Sequence, residues 1–218
     1  MSTPLPPHAG QPVERTGAGL ASARAAVIMV HGRGAGPRNI LDLVPRIGHE
    51  GIAYLAPAAA GNAWYPKSFM APVEENEPGI SSGISVVHAL IDEVVAAGIP
   101  QERVVVLGFS QGACLACTAA QRRPGRYGGV VVFSGGLIGP PGTTWSTPGD
   151  FAGTPVFFGC SDVDSHVPEV RVRESAQVFG RMHADVATRI YPGMGHLVND
   201  DEAGFASALL ATLIATPA

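Results

Sequence analysis

Val104-Val105-Val106-Leu107-Gly108-Phe109-Ser110-Gln111-Gly112 is the stretch from which the fold can be read. Val104 to Leu107 is a continuous apolar run, the pattern of a strand covered on both faces. The Ala- and Cys-rich segment beginning at Ala113 reads as a helix, so Ser110 falls at a strand-to-helix turn. A serine hydroxyl is a poor nucleophile, and such a turn holds it above the sheet where a base can reach it. The flanking glycines are needed because a Cβ there would clash as the backbone reverses. In a chain with 28 glycines the five-residue pattern alone is weak evidence; its position gives it weight.

Working outward, further strand patterns occur at residues 25–30, 52–56, 130–133, 156–159 and 187–191, separated by helical periodicities. Ile84, Val87, Ile91, Val94 and Val95 recur at helical spacing, as do Ile40, Val44 and Ile47 after Pro37. A last helix is predicted with Asn199 as N-cap and Glu202 three residues on, burying Phe205, Ala208, Leu209 and Leu213. Strands alternating with helices predict an α/β fold, with a mostly parallel central sheet and helices on both faces. Residues 58–79 and 137–153 fit neither period; long loops in such a domain are usually functional, and these are expected to wall a pocket.

At 218 residues and 46% hydrophobic side chains the chain suits one domain. The expected division is an irregular, Pro-rich N-terminal arm over residues 1–22 and a single domain over residues 23–218. A formal net charge of −4 without a basic cluster argues against nucleic acid as a partner. The apolar runs at 25–30 and 130–133 are too short for a membrane span, and residues 1–22 lack a signal core, which together point to the cytoplasm. Cys114, Cys117 and Cys160 cannot all pair, in keeping with a reducing compartment. Cys114 and Cys117 form a C-x-x-C inside a predicted helix and are read as buried thiols. A homodimer is compatible with the sequence.

A nucleophile needs a base, and the base needs a carboxylate to fix its tautomer. His196, in Tyr191-Pro192-Gly193-Met194-Gly195-His196, follows the last predicted strand and is the candidate base. Asp162 and Asp164, both just after the strand ending at Gly159, compete as the orienting acid. An oxyanion would need backbone donors aimed at it in advance: the N–H of Gln111 at a helix start, and one from the loop His31-Gly32-Arg33-Gly34-Ala35-Gly36, taken as that of Arg33. That loop has the spacing of neither phosphate-binding glycine motif, and His31 is given no catalytic role.

His31-Gly32, Gly108 to Gly112, Asp164-x-x-Val167-Pro168 and Gly193-Met194-Gly195-His196 together resemble the phospholipase/carboxylesterase family of α/β-hydrolases, over roughly residues 25–210. The resemblance implies a minimal α/β-hydrolase with no large lid, a Ser110, Asp164 and His196 triad, oxyanion donors at Arg33 and Gln111, and neither metal nor organic cofactor. It assigns the acid to Asp164, since the family's aspartate stands directly before x-x-Val-Pro. Many relatives carry Leu at the position of Arg33 and His at that of Cys160. Trp64-Tyr65-Pro66, with Ser68-Phe69 and Glu77-Pro78, is similar to a bacterial branch. The implied activity is hydrolysis of short to medium acyl carboxylic esters, small-molecule substrates held in a pocket of Trp64, Tyr65, Phe69 and Met194. A lysophospholipase or acyl-protein thioesterase is the alternative within the class, and a catalytically silent hydrolase-fold binding module the one outside it.

Overall fold

Runs too apolar for a half-exposed sheet become the interior strands of a seven-stranded one. The computed structural model describes residues 2–215. Its sheet begins at an edge strand β1 (Val13–Gly17), paired antiparallel with β3 (Ile52–Pro57). Next come β2 (Ala25–Val30), β4 (Val104–Phe109), β5 (Gly129–Phe133), β6 (Pro155–Ser161) and β7 (Asp185–Tyr191), all parallel.

Because side chains alternate along a strand, β2 feeds two cores. Ala26, Ile28 and Val30 pack with α3 (Gly79–Ala96), α4 (Gln111–Arg122) and α5 (Glu169–Arg181). Ala25, Val27 and Met29 pack with α1 (Pro37–Leu41), α2 (Val44–Ile47) and α6 (Asp200–Ala215). The α/β-hydrolase arrangement expected from the sequence is thus present, with Ser110, Asp164 and His196 all on connections that leave the carboxyl ends of β4, β6 and β7.

Three expectations are corrected, and one helix is added. The arm over residues 1–22 is not wholly irregular: Val13–Gly17 finds a full-length partner in β3, so the domain begins before residue 23. Residues 216–218 of the expected domain lie outside the described residues. Helix α5 was not anticipated: its buried face mixes Arg171 and Ser175 with Val172, Val178 and Phe179, while Val170 is exposed. The stripe of α6 is rotated onto Ala203, Ala206, Leu209 and Leu210, leaving Ala208 exposed, and Val95 likewise lies outside the buried face of α3.

By length and composition α3 could cross a membrane, with a mean hydropathy of 1.4. Ile80, Val87, Ile91 and Val94, however, are fully buried against the sheet and α4, so its apolar face is core.

Candidate active site

The turn after β4 shows why the glycines are obligatory. A Cβ on Gly108 would lie 2.4 Å from the carbonyl oxygen of Gly112, and one on Gly112 would lie 2.2 Å from that of Val30. Between them Ser110 adopts φ 58° and ψ −124°, a conformation costing about 1–3 kcal/mol for a residue with a Cβ. The Ser110 N–H donates to Phe133 at 3.0 Å and its carbonyl accepts from Cys114 at 3.0 Å, which anchors the turn to β5 and α4.

Three side chains far apart in sequence meet above this turn. Ser110 Oγ lies 2.8 Å from His196 Nε2, and His196 Nδ1 lies 2.7 Å from Asp164 Oδ2. The other oxygen of Asp164 accepts the backbone N–H groups of His166 at 2.8 Å and Val167 at 3.0 Å. Burial acts to raise the Asp164 pKa, yet the His196 bond and the two amides outweigh it and hold the carboxyl below its ordinary value. It is therefore anionic at neutral pH, and Nδ1 of His196 is the protonated nitrogen, leaving Nε2 free to accept from Ser110. The competitor Asp162 does different work, accepting the Gly193 N–H at 2.8 Å, while Ser161 Oγ accepts that of Gly195 at 3.1 Å. These two bonds suspend the His196 loop from the end of β6.

The backbone N–H groups of Arg33 and Gln111 have no protein acceptor among the described residues. Gln111 opens α4, where the first amides lack intrahelical partners and the helix dipole favours an anion. The Arg33 loop is held from below by His31, which is 1% exposed. Its Nε2 accepts the Ala59 N–H at 3.1 Å, so Nδ1 carries the proton and donates to Gly32 at 2.8 Å.

A cavity of about 540 Å³ opens over Ser110, with Tyr65, Lys67, Phe69, Cys114 and Val167 among its walls. Two of the four expected pocket residues do not line it. Trp64 is fully buried beneath the loop, donating from its indole to the His31 carbonyl at 2.9 Å; it is core. Met194 turns to Asn199, whose amide lies 2.9 Å from its sulfur. The loop 137–153 is also absent from the wall and acts as its backing. Arg171, 1% exposed, donates to the carbonyls of Leu137 at 2.9 Å and Gly139 at 2.7 Å, and its guanidinium stands 5.7 Å from the Phe69 ring. The Gly139 N–H in turn donates to Phe69 at 2.9 Å.

Two roles escaped sequence reasoning because they belong to side chains picked out for their backbones. The Arg33 guanidinium donates to the carbonyls of Pro66 at 2.9 Å and Lys67 at 2.6 Å. The Gln111 amide accepts from the Trp64 N–H at 2.9 Å and donates to the Tyr65 carbonyl at 2.8 Å. Both residues thereby tie the 64–67 wall to the loop after β2 and to the start of α4. Cys114, the other potential nucleophile in the cavity, has its thiol pushed up to about 12 by burial, so the thiolate is negligible at neutral pH.

Behind the His196 loop lies a buried carboxyl. Glu202 accepts the Asn199 N–H at 2.8 Å while Asn199 Oδ1 accepts the Glu202 N–H at 2.8 Å, the reciprocal cap predicted for α6. Its second oxygen has no hydrogen-bond partner, and burial raises its pKa from 4.5 to about 7. A folded-state value above the unfolded one means stability is greatest below the unfolded value and is lost as pH rises through about 7, an effect of about 3 kcal/mol. Glu202→Gln is expected to remove that part of the decline between acid and neutral pH, read from urea midpoints of the two proteins across the range. Superimposable pH profiles would contradict it.

A model of the phospholipase/carboxylesterase family matches residues 13–214. Acyl-protein thioesterase 1 of Eremothecium gossypii is 33% identical over 162 residues, covering 70% of this chain and 67% of that protein. A probable carboxylesterase, SOBER1-like, of Arabidopsis thaliana is 27% identical over 83% of this chain and 75% of that protein. The crystal structure of a phospholipase/carboxylesterase from Dyadobacter fermentans is similar with a TM-score of 0.89 at 38% identity, covering 93% of this chain and 97% of that one. With the strand-to-helix serine, the minimal sheet and this match along nearly the whole chain, the protein belongs to the phospholipase/carboxylesterase family of α/β-hydrolases.

Proposed function

We propose that this protein is a serine esterase hydrolysing short to medium acyl carboxylic esters through an acyl-enzyme. The observation that carries the reading is the continuous chain Ser110 Oγ, His196, Asp164, with its two links of 2.8 and 2.7 Å.

In the reading, His196 Nε2 takes the Ser110 proton as Oγ attacks the ester carbonyl carbon. The carbonyl oxygen becomes an oxyanion and receives the N–H groups of Arg33 and Gln111, each worth roughly 3 kcal/mol in the transition state. Asp164 stabilises the imidazolium so formed. As the tetrahedral adduct collapses, the carbon–alkoxy oxygen bond breaks and His196 returns the proton to the departing alcohol. Water then repeats the attack, with His196 as base, and releases the acid and free Ser110.

Tyr65 and Phe69 give the cavity an apolar wall, while Arg33 and Lys67 place cations in it. This mixture suits a compact acyl group better than a long lipid tail. On p-nitrophenyl esters, kcat/KM is expected to favour octanoate over palmitate by about tenfold or more; a strong palmitate preference would overturn the acyl-length assignment. A thioesterase is the second reading, supported by the likeness to the Eremothecium protein, and hydrolysis of a matched thioester measures it. A silent binding module is tested by a fluorophosphonate probe: failure to label Ser110 in folded protein would favour it. Placement in the cytoplasm rests on Cys114, Cys117 and Cys160, all buried free thiols of the kind a reducing compartment maintains.

A further inference from the structure

A second concavity, of about 410 Å³, adjoins the first. The two share Gly32, Ala35, Phe109 and His196. The second has walls of its own in Ile40, Leu43, Leu197 and Val198, brought together from α1, the turn before α2 and the segment after His196. Leu197 is 46% exposed there, a large apolar side chain left uncovered beside the reacting imidazole.

Several polar groups around this groove are already engaged. Asn39 Oδ1 accepts the Gly36 N–H at 2.9 Å, and the Arg46 guanidinium donates to Val198 at 3.3 Å and to Asp200 at 2.8 Å. Both nitrogens of His31 are spent within the protein. What the groove offers a ligand is therefore chiefly apolar contact.

Its occupant follows from which groups line which cavity. Ser110, Gln111 and Arg33 all line the first, so the ester carbonyl and the acyl chain attached to it belong there. The second contains His196 without those three. During acylation the Ser110 Oγ–carbon bond forms, the carbon–alkoxy oxygen bond breaks, and the proton taken from Oγ passes through His196 Nε2 to that alkoxy oxygen. The alcohol half must thus leave the carbonyl carbon toward His196. We propose that the groove of Ile40, Leu43, Leu197 and Val198 is a binding subsite for an apolar alcohol moiety, making the preferred substrate an ester with a compact acyl group and an alkyl alcohol. This rests on the esterase reading above.

The test uses two ester series on the full chain: butyrates of methanol through n-hexanol, and methyl esters of acetic through hexanoic acid. kcat/KM is the right quantity because it reports acylation, the step in which the alcohol is still bound. In the wild type it is expected to rise by about threefold per alcohol methylene, somewhat less than full burial gives. Leu43→Ser and Leu197→Ser are each expected to flatten the alcohol series while the acyl series keeps its slope. Because each slope is a ratio within one variant, a general loss of activity cancels. A flat wild-type alcohol series, or a slope surviving in both variants, overturns the proposal. So does flattening of the acyl series instead, which would put the acyl chain in the groove. Absence of any hydrolysis together with no fluorophosphonate labelling would remove the esterase reading, and this one with it.

Discussion

Ser110→Ala is expected to lower kcat by at least about 10³, which corresponds to about 4 kcal/mol of lost transition-state stabilisation. The loss should be chemical rather than structural. The turn is held by the Gly108 and Gly112 close approaches and by backbone bonds to Phe133 and Cys114, none of which involves the hydroxyl. Alanine at φ 58° carries about the same strain as serine, so the melting temperature should hardly move. Activity above the uncatalysed rate should persist, because in the proposed mechanism the Arg33 and Gln111 amides still receive the oxyanion. A second substitution checks that the three side chains act as a unit: Ser110→Ala with His196→Ala should be little worse than Ser110→Ala alone. Multiplicative losses in the double variant, or a single variant with near-normal kcat, would remove Ser110 from the role of nucleophile.

Ser110, His196 and the strands that carry them were readable because those signals are local, whereas the choice of Asp164 over Asp162 came from the resemblance to the family. An apolar run followed by Gly-x-Ser-x-Gly fixes a strand end, a turn and a helix start within a few residues. The reciprocal Asn199 and Glu202 cap is equally local. What escaped depends on partners distant in the chain. β1 is an ordinary polar segment until β3 offers it an edge. In α5 the buried face includes Arg171, a charge kept inside by its bonds to the carbonyls of Leu137, Gly139 and Pro140, which are more than thirty positions away. Trp64 and Phe69 are both aromatic and only five positions apart, yet one is core and the other wall, a distinction set by the His31 and Gly139 contacts. Side-chain types in the 58–69 segment therefore indicated that the loop mattered without indicating which residue touches a ligand.

Asp164→Asn is expected to be the most damaging isosteric change in the protein, lowering kcat by about 10⁴. The size follows from an arrangement that leaves the new amide no choice of orientation. One carboxylate oxygen already accepts the N–H groups of His166 and Val167. Only the amide oxygen of an asparagine can take that place, because an NH₂ there would oppose two donors. The NH₂ must then face His196 Nδ1, 2.7 Å away in the wild type. Nδ1 becomes the acceptor, the proton moves to Nε2, and the nitrogen that should receive the Ser110 proton can no longer do so. The negative charge that would steady the imidazolium is lost in the same step. Asp162→Asn is the matched control, since its oxygen has only to accept the Gly193 N–H, which an amide oxygen does as well; its kcat should stay within about tenfold of wild type. Steady-state rates of the two variants at neutral pH, with melting curves to show both are folded, make the comparison. Similar losses at the two positions would mean that His196 is oriented by something other than Asp164, and the acid would have to be sought elsewhere around the imidazole.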